Sequence, residues 1–240
     1  MGDAWEVSEL AGGAGQLHLR EPDGPPRRRV LVMQPRDLAM VLGSTQPTTD
    51  VDHEAASAAG IEIVRRRSGG GAVLVTPDDL VWVDVVIPRG DPLWLDDVSR
   101  SAHWLGEAWA EAVASIGAQP GGAPDGAVAV HRGGLERTPL SSVVCFGGLG
   151  PGEVTVSGRK VVGLSQRRTR DLARFQTSVL LRWDAPVHAA VLGPGIHRAL
   201  AGPGEQREAA DAVRSLAVDT LGPVGAGAVI DALLTALDRR

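Results

Sequence analysis

Residues 64–73 read VRRRSGGGAV. Two runs rich in β-branched residues, IEIVRR (61–66) and AVLVTP (72–77), stand on either side of Ser68-Gly69-Gly70-Gly71, so a strand is predicted before the glycines and another after them. Glycines in series let a backbone come within hydrogen-bonding distance of a bound group, and their N–H groups can form an anion-binding concavity. Arg65 and Arg66, directly before it, suit bidentate contact with phosphate or carboxylate. Taken alone, the same residues also describe a hairpin tip with solvated arginines. Neither nucleotide fingerprint fits, because a P-loop needs G-x-x-x-x-G-K and a dinucleotide turn needs G-x-G-x-x-G opening a helix.

Working outward, residues 11–28 are rich in Gly, Pro and Arg and read, with the start of the chain, as an N-terminal arm or loop over 1–28. RVLVMQP (29–35) and LAMVLGSTQ (38–46) are predicted as strands, and 51–59 as a short helix with Thr48, Thr49 or Asp50 at its start and Gly60 at its end. LVWVDVVIP (80–88) is the clearest strand: Trp82, Asp84 and Val86 share one face, and Val81, Val83, Val85 and Ile87 the other, with one face expected in the core. Residues 98–116 space Ala102, Leu105, Trp109, Ala112, Val113 and Ile116 as a helix stripe. Residues 119–138 read as loop with an AVAVH strand. VTV and KVVGL form a predicted hairpin turning at Ser157-Gly158. A strand over 173–183 and two terminal helices, near 206–219 and 225–239, complete the chain. This order implies an α+β fold on a mixed, largely antiparallel sheet flanked by helices, not a doubly wound repeat.

At 240 residues the chain can bury a substantial core, and its composition is that of an ordinary globular protein. A net charge of -5 with scattered arginines argues against a nucleic-acid surface. One cysteine, Cys145, permits neither an internal disulfide nor a cysteine metal cluster. The N-terminus lacks the pattern of a secretory leader, and no apolar run is long enough to span a membrane. A cytoplasmic location is expected.

Lys and Arg together number 24, yet Lys160 is the only lysine. A compact ammonium differs from an arginine fork where it must reach an oxygen in a confined place. The segment around it, Gly158-Arg159-Lys160-Val161-x-Gly163-x-x-Gln166, follows Arg65-Arg66-x-Ser68-Gly69-Gly70-Gly71-Ala72-Val73 by about 85 residues. Together these resemble the two signature segments of the lipoate-protein ligase family, within the larger biotin/lipoate protein ligase group that includes octanoyltransferases.

That resemblance spans roughly 30–185 and implies a fold like class II aminoacyl-tRNA synthetases and biotin ligase, with a catalytic domain over 29–240 in a form without a C-terminal accessory domain. It implies an acyl tunnel, with Lys160 at the reacting carboxyl or acyl-adenylate. In ATP-dependent members it implies nucleotide contacts at Arg66 and along Ser68, Gly69, Gly70, Gly71, Ala72, Val73 and Leu74, with Mg²⁺ and Lys160 offsetting charge as the acyl carboxylate attacks the α-phosphate. The metal ligands stay unassigned. Transfer would then go to a lysine on a lipoyl carrier domain of a 2-oxoacid dehydrogenase or glycine cleavage protein, with an accessory domain encoded separately as a further partner.

SVVCFGGLGPGEVTVSGRKVVG (142–163) also resembles the cysteine-dependent octanoyltransferases, in which Cys145 would take the acyl chain from octanoyl-acyl carrier protein as a thioester. Gly-Gly-Gly-Ala-Val is the ligase-like spelling, and on it the first expectation is ATP-dependent activation of lipoate or octanoate. The Cys145 route is the alternative, and a non-catalytic acyl- or adenylate-binding relative the third. The chain departs from the family pattern where Val75-Thr76 replaces His-Asp and Phe175-Gln176-Thr177 replaces a His-bearing strand. Asp84 reads as a solvated strand carboxylate before a Mg²⁺ ligand. His103, His131, His188 and His197 read as surface or capping residues, and Trp94, Trp104 and Trp109 as packing between helix and sheet.

Overall fold

The computed structural model describes residues 4–22, 24–117, 126–201 and 208–240. In chain order the elements are β1 (Glu6–Gly12), α1 (Ala14–Leu19), β2 (Arg29–Pro35), β3 (Ala39–Leu42), α2 (His53–Ala58), β4 (Glu62–Arg65), β5 (Val73–Val75), β6 (Leu80–Pro88) and α3 (His103–Ser115). They continue with β7 (Val128–Val130), β8 (Val154–Val156), β9 (Arg159–Arg168), β10 (Leu172–Leu180), α4 (Ala185–Val191), α5 (Gly193–Ala199), α6 (Ala209–Arg214) and α7 (Ala226–Leu237).

β6 anchors the seven-stranded sheet β1-β2-β6-β10-β9-β8-β7, which is antiparallel except where β1 runs parallel to β2. Its period-2 alternation sorts side chains as the sequence predicts, but both faces are buried. Val81, Val83, Val85 and Ile87 pack with Trp104, Leu105 and Trp109 of α3 and Val229 and Leu233 of α7. Leu80, Trp82 and Val86 face the three-stranded sheet β4-β3-β5 and helices α4 to α6. Each such aliphatic side chain contributes about 1.5–3 kcal/mol by leaving water, so the two cores clamp the large sheet from both sides.

The N-terminal arm reading is corrected. Residues 6–12 extend the sheet as β1 and residues 14–19 form α1, whose Ala14 and Leu17 are buried at i, i+3 spacing. Six residues with two anchors are too short a pattern to stand out against the surrounding Gly and Pro. β4 and β5 are not hairpin partners, because β3 lies between them, parallel to β4 and antiparallel to β5. β3 ends at Leu42 rather than running to 46. The N-cap of α2 is Asp52, whose carboxylate accepts from Ala55 N at 2.9 Å; Gly60, at φ +66°, ends it. The β8–β9 turn falls at Ser157-Gly158, with φ of +51° and +76°. Helices α4 and α5 were not expected, and the terminal helices are shorter than expected at 209–214 and 226–237. Parts of the expected loop over 119–138 and helix over 206–219 lie outside the described residues. No helix of the described residues is long and apolar enough to cross a membrane.

Gly43 packs so closely on Gly70 that an added Cβ would stand 1.8 Å from the Gly70 carbonyl oxygen, whereas nothing lies within 4 Å of one at Gly69. Gly43→Ala is therefore expected to lower unfolding stability by roughly 3 kcal/mol, and Gly69→Ala by under about 1 kcal/mol, in urea titrations.

Candidate active site

The site is built on a backbone seam. Ala72 N donates to the Val143 carbonyl at 2.8 Å, and Cys145 N donates to the Ala72 carbonyl at 2.9 Å. Gly71 makes this approach possible, since a Cβ there would sit 2.6 Å from Val144 N. The third glycine is thus required for chain packing. Of the residues with expected backbone contacts, Ala72 has its N–H and C=O taken by the seam, while Val73 and Leu74 lie on β5, an edge strand of the small sheet. Leu74 also points to a different cavity, beside Trp183 and His188. Among the described residues, the N–H groups of Gly69, Gly70 and Gly71 have no acceptor.

The seam puts Cys145 at the start of a 3-10 turn, Cys145–Gly147, facing Arg66. Arg66 is 5% exposed; its Nη2 donates to the carbonyls of Gly69 and Gly71, both at 2.8 Å, and lies 3.7 Å from Cys145 Sγ. Arg65 instead turns away to hold the carbonyls of Gly43, Ser44 and Gln46. Ser68 Oγ bonds Ser165 Oγ at 3.3 Å.

Lys160, on β9, is 3% exposed and its ammonium is fully engaged. Nζ pairs with Glu153 Oε2 at 2.7 Å and donates to the carbonyls of Cys145 at 3.2 Å and Gly148 at 3.0 Å, above the Phe146 ring. Three protons meet three acceptors, which a flat guanidinium could not match in this niche. Glu153, which no sequence signal singled out, is equally saturated, accepting from Gly150 N and Leu164 N as well.

Two cavities meet here. A narrow apolar crevice is lined by Val73, Val75, Leu80, Trp82 and Leu164, with His18 and Gln176 also in its wall. A polar cleft of about 570 Å³ lies between Gly69, Gly70, Arg137, Ser141, Lys160 and Arg198, large enough for a cofactor-sized group. Arg66 and Cys145 line both.

His18 is the site residue that sequence reasoning missed, because it sits on α1. Its ring lies on Trp82 at 4.1 Å, and Nδ1 is 3.2 Å from Gln176 Nε2, within the Phe175-Gln176-Thr177 stretch that stands in place of a His-bearing strand. Asp84 orders this part of the crevice wall. The carboxylate is fully buried, taking Trp82 Nε1–H at 2.7 Å, Gln176 Nε2–H at 3.4 Å and the guanidinium of Arg174, whose other nitrogens hold the carbonyls of Leu17 and Arg20 at the end of α1. Facing the carboxylate, the Gln176 amide presents N–H to Nδ1, which leaves the His18 proton on Nε2. Burial first, then the charges of Arg66 and Arg174, push His18 down to about 3, so the ring is neutral at physiological pH.

Asp84 is therefore not a solvated carboxylate, and neither is it free for a metal. Burial pushes its pKa up, against the pull of Arg174, Trp82 and Gln176. Among the described residues no group of three His, Cys, Asp or Glu side chains could hold a metal ion. Thr177 is buried with its hydroxyl on the Val83 carbonyl at 2.6 Å. The surface reading of His188 is corrected too: it is 3% exposed under Trp183, and burial lowers its pKa to about 4. His103 and His131 are half-buried and His197 exposed. Trp104 and Trp109 pack against the sheet as expected, and Trp94 is partly buried against the same core with Arg168 over its ring.

An apolar crevice and a polar cleft sharing one cysteine and one arginine suit an enzyme that carries an acyl chain to a polar partner. A sequence profile, that of the Lipoyl protein ligase A/B catalytic domain, matches residues 16–238, and the chain belongs to that family. It is similar to octanoyltransferase LipM of Moorella thermoacetica, 31% identical over 177 residues that cover 73% of this chain and 61% of the relative. LipM of Kyrpidia tusciae is 33% identical over 170 residues, covering 70% and 59%. This chain thus spans about three fifths of the length of these curated relatives. Among solved structures, the bi-partite lipoate protein ligase of Thermoplasma acidophilum, studied with its E2 lipoyl domain, superposes with a TM-score of 0.67 at 16% identity over 100% of this chain and 83% of that one. Lipoate-protein ligase A bound with ATP gives 0.59 at 17% identity, covering 100% and 85%. At these identities the likeness is one of fold, which is the α+β fold expected from the sequence.

A buried pair broken on one side leaves an uncompensated charge, so Glu153→Gln and Lys160→Met should each cost about 3 kcal/mol in urea unfolding. The double variant should cost less than the sum, which a double-mutant cycle measures. A histidine whose folded pKa is depressed binds its proton more readily when unfolded, so stability falls as pH drops below about 6.5, for His18 as far as about 3. His18→Gln should flatten the stability–pH slope between pH 6 and pH 4 by up to about 1.4 kcal/mol per unit, read from urea midpoints.

Proposed function

We propose that this chain is a Cys145-dependent acyltransferase of protein lipoylation, moving an octanoyl or related acyl group from an acyl carrier protein thioester to the lysine of a lipoyl carrier domain. The observation that carries this reading is the position of Cys145 on the wall shared by the apolar crevice and the polar cleft, with Arg66 Nη2 beside its sulfur. The crevice suits the acyl chain, the cleft the arm of the donor and later the acceptor lysine. The names of the two curated relatives favour the same chemistry.

In the first half-reaction the Cys145 thiolate attacks the donor carbonyl, the new C–S bond forms, and the donor thiolate leaves and takes a proton. In the second, the neutral lysine amine of the carrier domain attacks the acyl-enzyme; the amide forms, the amine gives up a proton, and the Cys145 thiolate is released. Lys160 acts here as a positioning residue, tying the Cys145 and Gly148 carbonyls to Glu153 and so fixing the cysteine turn. His18 is a neutral group in the wall of the crevice.

ATP-dependent activation is the second reading, favoured by the free N–H groups of Gly69, Gly70 and Gly71 and by the arginines of the cleft, Arg66 and Arg137, which suit phosphate oxygens. Lipoate or octanoate would then be the substrate.

Intact-protein mass spectrometry separates the readings. Incubation with octanoyl-acyl carrier protein is expected to add one hydroxylamine-labile octanoyl group, absent in Cys145→Ala. A retained acyl-adenylate with octanoate, ATP and Mg²⁺, and no adduct in the first mixture, would instead establish the ligase.

A further inference from the structure

Buried cations in this protein come with carboxylates. Arg28 pairs with Asp91, Arg29 with Glu6, Arg174 with Asp84 and Lys160 with Glu153. Arg66 is as buried as these, at 5% exposure, and has no acidic partner among the described residues. Its Nη2 rests on two neutral carbonyls, and its Nε is buried with no hydrogen-bond partner. A buried guanidinium without an anion is costly, and the atom beside it that can become one is Cys145 Sγ, at 3.7 Å from Nη2.

The space around the pair is kept open. Gly70, at φ +96°, has no side chain where a Cβ would stand 3.0 Å from Arg66 Nη2 and 3.9 Å from Cys145 Sγ. Lys160 is the other cation near the cysteine, but its charge is balanced by Glu153 and its protons all point to protein oxygens.

We infer that Arg66 is a catalytic residue, the counter-ion of the Cys145 thiolate in the free enzyme and again when the acyl group departs. When the thiol ionises, its proton leaves to water in the open cleft. The thiolate then shares the guanidinium with the carbonyls of Gly69 and Gly71. When the acyl-enzyme forms, the negative charge passes to the donor sulfur; when it breaks down, the charge returns to Cys145 beside Arg66. This assignment rests on the reading of Cys145 as the acyl-accepting sulfur, and it gives Arg66 a role other than contact with a nucleotide.

The test compares alkylation of Cys145 by iodoacetate, an anion, with alkylation by neutral iodoacetamide, followed by intact mass. A fixed cation beside the sulfur should raise the iodoacetate-to-iodoacetamide rate ratio at least about fivefold over that of glutathione. Arg66→Gln should bring the ratio to the glutathione value, while Arg66→Lys, Arg137→Gln and Arg198→Gln should keep it. A merely structural role would change both rates together and leave the ratio alone. A wild-type ratio equal to that of glutathione overturns the assignment even if Arg66→Gln does not fold, as does a ratio that Arg66→Gln leaves unchanged. If no octanoyl adduct forms but the ratio depends on Arg66, the acyltransferase reading fails and the ion pair stands; an adduct with an Arg66-independent ratio gives the reverse.

Discussion

Everything at the site depends on two chain segments lying backbone to backbone. Gly71-Ala72 and Val143-Val144-Cys145 are far apart in sequence, and they are stitched by two hydrogen bonds that only an unsubstituted residue 71 allows. The seam joins the small sheet, which carries Arg66 on its outgoing chain, to the turn that carries the cysteine. A side chain at 71 would separate the guanidinium from the sulfur and open the floor between crevice and cleft. A geometric constraint of van der Waals contact thus sets an electrostatic distance.

Two further devices keep the seam in register with the large sheet. The Lys160–Glu153 pair reaches from β9 to the carbonyls on either side of Phe146, so the cysteine turn cannot shift without exposing or unpairing a buried charge. Across the crevice, Arg174, held by Asp84, donates to the last carbonyls of α1, which is what brings His18 to Trp82. Charge pairs that contribute little on a surface act here as fixed struts because both partners are dry.

The sequence made the large sheet legible because period-2 alternation in 80–88 and a turn with two positive-φ positions at 157–158 are strong local signals. It did not reveal α1, whose apolar face is two residues, nor that β3 separates β4 from β5, which is a matter of long-range pairing. In the site, the two signature segments pointed to Arg66 and Lys160 and the octanoyltransferase-like stretch 142–163 to Cys145, and the chain brings all three together. Glu153 and His18 stayed hidden for different reasons. A lone acidic residue before a strand looks like any surface carboxylate, and a histidine in a Gly/Pro-rich stretch gives no hint that it will meet Gln176 from a strand over 150 residues later.

On the proposed reading, the unusual residue and the reactive one are different. A single lysine among so many arginines invites a catalytic role, yet the features that make lysine necessary at 160, a compact head and three protons in a tetrahedral spread, are those of a residue that ties three oxygens together. Arg66 is one of many arginines and is conspicuous only in three dimensions, by what it lacks. Among the described residues the other buried cations pair with carboxylates, whereas Arg66 is left without one and adjoins the chain's only cysteine, which is the ground on which the ion pair is proposed.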